Sequence, residues 1–342
     1  MDQYRFTKKH TQIAKGIAMI LMLFDHLYWM EYGQYTTLIK LPNGHDIPWM
    51  IGSIGNICVA MFLFLSGYGM YYTQKKKDKF LIKDSLIRIK NIWVQYLLIT
   101  AVIIVIDTLF GKIEVSFKKV ILNIMALDYS YNPFAWFMIT YVVIIFVFPF
   151  INNIFKKTDI VVECIGIVGI KVAITVVNYI LHRYVGVNQI IYKVFLEPFM
   201  FLPVFLIGYI CAKHFILENT ICTLQKVKII NYKLLLCLIL FGTVTFMFIE
   251  TNTLFDNLTS PILCFTFAYI LFGTSIGKII DFIGKHSTNM WLIHYPIMVT
   301  LMNKIVYLPK YWFLILIWII VLMLPFCYVL DYVMKVLNGI KR

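Results

Sequence analysis

The sequence predicts an all-α polytopic membrane protein of about ten transmembrane helices, both termini cytoplasmic, forming one domain over residues 1–342. Three observations carry this expectation. Of the 342 residues, 61% are apolar and 14% charged, where a soluble domain has roughly half apolar and about a quarter charged. The apolar residues gather in runs near 13–29, 51–72, 92–110, 135–151, 160–181, 195–212, 234–249, 258–276, 290–307 and 311–329, bounded by charges or by Pro, Gly and Asn. Alternate connections, counted from the N-terminus, hold about 21 of the 31 Lys and Arg residues and the others about 8, the bias that keeps basic loops inside.

Length closes the argument. A span needs about 20 apolar residues, so ten use on the order of 200 positions and leave about 14 per connection. No soluble catalytic domain fits in that remainder, and a cytosolic enzyme is excluded. The basic excess lies in short connections rather than on one continuous face, so it reads as topology and not as a nucleic-acid footprint. The seven cysteines, Cys58, Cys164, Cys211, Cys222, Cys237, Cys264 and Cys327, mostly sit inside apolar runs without a Cys-x-x-Cys pair. They read as small buried hydrophobes, and no metal is expected.

The first run follows basic residues, as a secretory signal does. It carries Lys15, Asp25 and His26 and lacks a small-residue cleavage site, which makes it a retained first span. Between the second and third runs lies the densest basic cluster, Lys75, Lys76, Lys77, Lys79, Lys83, Arg88 and Lys90, suited to anionic lipid on the cytoplasmic surface.

Ionisable side chains inside spans are costly and usually face a cavity or a partner. Six stand out: Lys15, Asp25, His26, Glu163, Lys171 and His294. Lys15 and His26 are about three turns apart, so they share one helical stripe and lie about 16 Å apart along it. Met19 and Met22 fall between them, giving a narrow, mostly apolar path. His26 at depth suits general-base or proton-relay work. Asp25 is about 100° around the helix from it, placed to orient the imidazole through water or to cap the helix end. Glu163 and Lys171, just over two turns apart, mark one polar face of the fifth helix. Ser66, Gly67 and Gly69 are small residues in a bulky second helix, allowing close approach, and Ser66 and Tyr68 offer hydroxyls. Ser287, Thr288 and Asn289 read as the cap of the ninth helix, with His294 one turn in and Pro296 breaking the backbone after it.

These motifs, in order, resemble the acyltransferase 3 family of integral membrane acyltransferases. Lys15-Gly16-Ile17-Ala18 followed by His26 is similar to the family's opening helix, in which a basic residue, usually Arg, precedes an essential His. Cys58 to Gly69 resembles its second helix. Arg88-Ile89 ahead of Trp93 and Tyr96 resembles its basic third-helix segment, with Asn91 where a second basic residue is common. Trp136-Phe137, Pro203 to Tyr209, and Gly284 to Ser287 leading to Trp291 and His294 complete the likeness.

The resemblance implies an O-acyltransferase of the cell membrane that takes an acyl group, commonly acetyl, from cytoplasmic acyl-CoA. The acceptor would be a hydroxyl of a cell-envelope molecule such as a surface polysaccharide, compact members of this kind being common in bacteria. It implies that His26 is catalytic. From the residues we expect Asp25 to assist it, Lys15, Arg88 and Lys90 to hold the donor, and Ser66, Tyr68, Trp136 and His294 to hold the substrates. His26 serves as base or as nucleophile, and the residues do not choose between them. Acceptor recognition is expected from the outer connections near 30–50, 111–133 and 182–194. A rival reading is a transporter or export component for a small polar solute using the same polar face. A lipid-scaffolding or receptor-like protein leaves the Lys15 to His26 spacing unexplained.

Overall fold

The structure is a computed structural model and describes residues 5–41, 44–76, 82–111, 113–155, 157–186, 188–226, 231–250 and 253–339. Lys77 and Lys79 of the basic cluster lie outside the described residues, as do Pro42, Asn43, Lys112 and Val187 of the outer connections. The described chain is helical throughout. Its α-helices are α1 Lys8–Phe24, α2 Ile47–Ser53, α3 Cys58–Lys75, α4 Ile82–Leu109, α5 Phe117–Ile124, α6 Phe137–Phe155, α7 Ile160–Ile180, α8 Gln189–Ile191, α9 Glu197–Lys213, α10 Ile216–Lys226, α11 Tyr232–Ile249, α12 Asp256–Leu271, α13 Ser275–Tyr295, α14 Asn303–Val306 and α15 Trp312–Leu337. Four π turns, Asp25–Trp29, Leu181–Val185, Tyr192–Leu196 and Pro296–Leu301, extend or join them. Only two isolated β-bridges, Thr36 to Tyr311 and Lys40 to Asp46, occur among the described residues.

Each predicted run falls on a helix. Six segments are long and apolar enough to cross a membrane on their own: Ile82–Leu109, Phe137–Phe155, Ile160–Tyr184, Tyr192–Lys213, Tyr232–Ile249 and Trp312–Leu337. The pair Ile47–Ser53 and Gly55–Lys75, bent by 42°, makes a seventh if counted as one span. Helices α1, α12 and α13 fall short of that standard. They are short or carry polar side chains; α1 and α12 are largely buried in the bundle, whereas α13 exposes Ile276 and Ile279.

The most extensive helix contacts are α3 with α9 and α1 with α13, and glycine explains both. A Cβ at Gly67 would collide with the carbonyl oxygen of Phe205, and one at Gly208 with that of Phe64. Gly16 and Gly284 stand in the same reciprocal relation, against the carbonyls of Ile280 and Gln12. Lipid supplies no hydrophobic drive between helices, so such close backbone approach and its dispersion contacts hold the bundle. The outer ring is different. In its most apolar window Ile160–Tyr184 is 11% buried and Tyr232–Ile249 17%, against 61% for Tyr192–Lys213, which places α7 and α11 at the lipid face and α9 at the centre.

The ninth predicted helix is corrected at its start. Thr274 is the cap, its hydroxyl accepting from the Gly277 amide at 2.9 Å, and α13 begins at Ser275. Ser287, Thr288 and Asn289 therefore lie in mid-helix and His294 at its C-terminal end. The Ser287 hydroxyl donates to the Gly284 carbonyl, and the Asn289 amide to Asp331 and the Cys327 carbonyl. Of the cysteines, Cys58, Cys211, Cys264 and Cys327 are buried as expected, whereas Cys164 and Cys237 are exposed on α7 and α11.

Candidate active site

The first helix carries a regular stripe and then an irregular end. From Lys8 to Phe24 it is α-helical, and at Asp25 it widens into a π turn that runs to Trp29. Such turns add one residue to a helical turn and occur frequently at functional sites. Gly55 makes room for it: a Cβ there would come within 2.8 Å of the Asp25 Cβ. The Asp25 carboxylate lies 3.5 Å from His26 Nδ1, and the Met30 sulfur 3.3 Å from the same nitrogen. The two side chains are therefore in direct electrostatic contact, closer than the 100° offset of a regular helix suggests.

His294 meets His26 from across the bundle. The two rings stack with centroids 5.1 Å apart and planes within 9°. His294 is fully buried, and its Nδ1 donates to the Trp291 carbonyl at 2.5 Å, which sets the orientation of the ring. It backs His26 and is not among the residues lining the cavity. Pro296 starts the π turn that follows, so both histidines sit where an α-helix gives way to a π turn.

A cavity of about 610 Å³ opens on this pair. Lys15, Met22, Asp25 and His26 line it from α1 and its π turn, so the predicted stripe faces a real space. Ser66 and Trp136 line it too, with Phe62, Phe137 and Phe201. A smaller hollow of about 390 Å³ contains Arg88, and the two share Ile92, Tyr141 and Thr288 in their walls. Arg88 also lies within electrostatic range of Lys15. The cavity thus carries Lys15, Asp25 and His26 on its wall, with Arg88 in the adjoining hollow.

Two predicted site residues lie elsewhere. The Tyr68 hydroxyl points away from the cavity and donates to the buried Glu218 carboxylate at 2.6 Å; Glu218 also accepts from the Phe6 amide at 3.2 Å. Tyr68 is thus a packing residue that ties α3 to α10 and the N-terminal segment. Lys90 is exposed and lines neither hollow. The helix geometry explains it, since Lys90 is about 200° around α4 from Arg88.

The polar face expected on α7 divides between two settings. Glu163 is buried against Lys213 and His214, the latter at 2.8 Å, while Lys171 lines the cavity and donates to the Met200 carbonyl at 3.3 Å. Among the described residues of the outer connections, Met30, Pro133 and Tyr192 reach the cavity wall.

The family profile described as an acyltransferase domain, that of the acyltransferase 3 family, matches residues 12–332. The chain belongs to this family. No curated protein and no solved structure matches it. The chain is therefore an acyltransferase, built as a multi-pass membrane protein from the apolar helices described above.

The acyltransferase also places in its cavity residues that did not stand out in the sequence, Glu197, Asp256, Asn56 and Asn257, together with Thr288 of the expected helix cap. Glu197 is an acid within the apolar run 195–212, which is the same signal that singled out Asp25. Asp256 and Asn257 precede the run that begins near 258, where a polar residue reads as a boundary. Their shared cavity is visible only in three dimensions.

Proposed function

We propose that this acyltransferase moves an acyl group, most simply acetyl, from cytoplasmic acyl-CoA to a hydroxyl of an extracytoplasmic or cell-envelope acceptor, with His26 as the reacting base. The observation that carries this reading is the cavity lined by Lys15, Asp25 and His26, with Arg88 in a neighbouring hollow that shares wall residues with it. A CoA thioester has phosphates at one end, a long thin arm and a reactive carbonyl at the other. The basic end suits the phosphates, the walls at Phe62, Ile92 and Tyr141 suit the arm, and the imidazole suits the carbonyl end.

Asp25 at Nδ1 favours the tautomer that keeps the proton on that nitrogen and the lone pair on Nε2. In the reaction Nε2 takes the proton of the acceptor hydroxyl as its oxygen attacks the thioester carbonyl. The C–S bond breaks, the ester C–O bond forms, and the imidazolium returns the proton to the departing CoA sulfur. Asp25 stabilises the imidazolium while it exists. The basic cluster and the loop bias support a cytoplasmic donor side and cytoplasmic termini.

The test is acetyl-CoA binding to the purified protein in lipid nanodiscs, comparing wild type with Arg88→Ala and Lys15→Ala. Saturable binding weakened by each change supports the donor and its dock. Absence of binding by the wild type sinks the reading.

A further inference from the structure

The cavity that His26 lines has a charge pattern that the donor does not use. Lys171 from α7, Glu197 at the start of α9 and Asp256 at the start of α12 all line it, with Asn56 and Asn257 beside them. Lys171 and Asp256 act on each other electrostatically yet form no ion pair within 4 Å among the described residues. Neither the Glu197 nor the Asp256 carboxylate accepts a hydrogen bond from a described residue. Both residues are half-buried, so their carboxylates are open to donors from water or from a ligand in the cavity.

Part of the remaining wall is aromatic. Trp136 and Phe201 lie with ring centroids 5.9 Å apart, and Tyr192 and Phe137 also face the cavity. The face of Trp136 beside carboxylate acceptors and an ammonium donor matches a ring that presents C–H bonds on its face and hydroxyls around its edge. It is a poor match for an anion, because Asp25, Glu197 and Asp256 outnumber Lys15 and Lys171 around the same space.

We propose that Lys171, Glu197 and Asp256 form the acceptor subsite, with Trp136 as its platform, and that this subsite selects a polyhydroxyl ring free of anionic groups. Lys171 donates to a ring hydroxyl oxygen, and Glu197 and Asp256 accept from neighbouring hydroxyls. A carboxylate on the ring would meet like charge in a partly desolvated space and bind more weakly. The inference rests on the reading of the cavity as the acyl-transfer site.

The test uses two probes that differ at one carbon, methyl β-glucoside and methyl β-glucuronide, with saturation-transfer NMR on the protein in nanodiscs. The glucoside is expected to bind and the glucuronide to bind at least about tenfold more weakly. In the Asp256→Asn, Glu197→Gln double variant the gap should close, and in Lys171→Met the glucoside should weaken. Equal binding of the two probes, binding of neither, or a gap unchanged in the double variant overturns the proposal. Acetyl-CoA binding is followed in the same samples. If it persists while the sugar results fail, the acceptor assignment alone is wrong. If wild type binds no acetyl-CoA, the acyl-transfer reading fails with it.

Discussion

His26 and His294 lie in near-parallel stacking contact, 5.1 Å between ring centroids, although one belongs to the first helix and the other to the thirteenth. Neither ring is held by its own helix alone. His26 is flanked by Asp25 and Met30 at Nδ1, and His294 is anchored by the Trp291 carbonyl. The contact fixes the plane of the imidazole that faces the cavity.

Replacing His26 with Ala should lower acyl transfer by about 10²–10⁴-fold, the range for a general acid–base group. Acyl-CoA binding should persist, because the basic end of the cavity is about 16 Å away along the helix. Steady-state transfer and equilibrium binding on one preparation check both halves, and full transfer activity would remove His26 from the mechanism.

His294 acts through His26, so its substitutions should separate by shape. His294→Phe keeps an aromatic stack, whereas His294→Ala removes a contact of about 0.5–1.5 kcal/mol. The Ala variant should lose about two- to tenfold in kcat with KM for acyl-CoA unchanged, and Phe should recover most of that loss. A rise in KM alone would show that the residue holds substrate instead.

Arg88 and Lys15 should each matter to donor binding. Loss of a charged hydrogen bond of about 1.5–3 kcal/mol corresponds to a tenfold or larger rise in Kd, and raised salt should shrink the difference between wild type and variant. Lys90→Ala, on the exposed side of α4, should show the smaller loss. Isothermal titration at two salt concentrations reads all three.

On α3, Gly67 and Gly69 make a matched pair for stability. Gly67→Ala would drive a Cβ into the Phe205 carbonyl, while a Cβ at Gly69 meets nothing within 4 Å. The first should destabilise by at least the 1–3 kcal/mol typical of overpacking. The second should be neutral or stabilising, since Ala is the better helix former by about 1 kcal/mol. Thermal unfolding in detergent distinguishes them.

Glu163 is wholly buried against Lys213 and His214. Glu163→Ala leaves that ammonium without its counter-charge and should cost about 3–5 kcal/mol. Because Glu163 is not part of the cavity wall, transfer per folded molecule should be preserved; a fall in specific activity would tie this cluster to function.

Much of the arrangement was readable in one dimension because the bilayer penalises misplaced charge. Lys15, Asp25, His26 and Lys171 each stood out against an apolar run, and each reaches the cavity. Ser66, singled out as a small hydroxyl residue in a bulky helix, and Trp136, taken from family resemblance, reach it as well. The misreadings have physical causes. Tyr68 was credited with a free hydroxyl since its partner Glu218 is 150 positions away. Ser287 to Asn289 resembled a helix cap because hydroxyl and amide side chains serve equally well inside a bundle when another helix supplies their partners. Asp256 and Glu197 read as edges of apolar runs, and only the packing of α9 and α12 turns them inward.

The π turn at Asp25–Trp29 gives the first helix an asymmetric tolerance to changes in chain length. Between Lys15 and Phe24 the helix is regular, so inserting or deleting one residue would rotate His26 by about 100° relative to the lysine. Beyond His26 the turn already holds one residue more than an α-helix needs. A deletion there would draw the turn back toward regular geometry and leave the Lys15 to His26 register intact. Related chains can therefore vary the length of the segment leading to the outer loop, while the spacing from the basic residue to the histidine stays fixed.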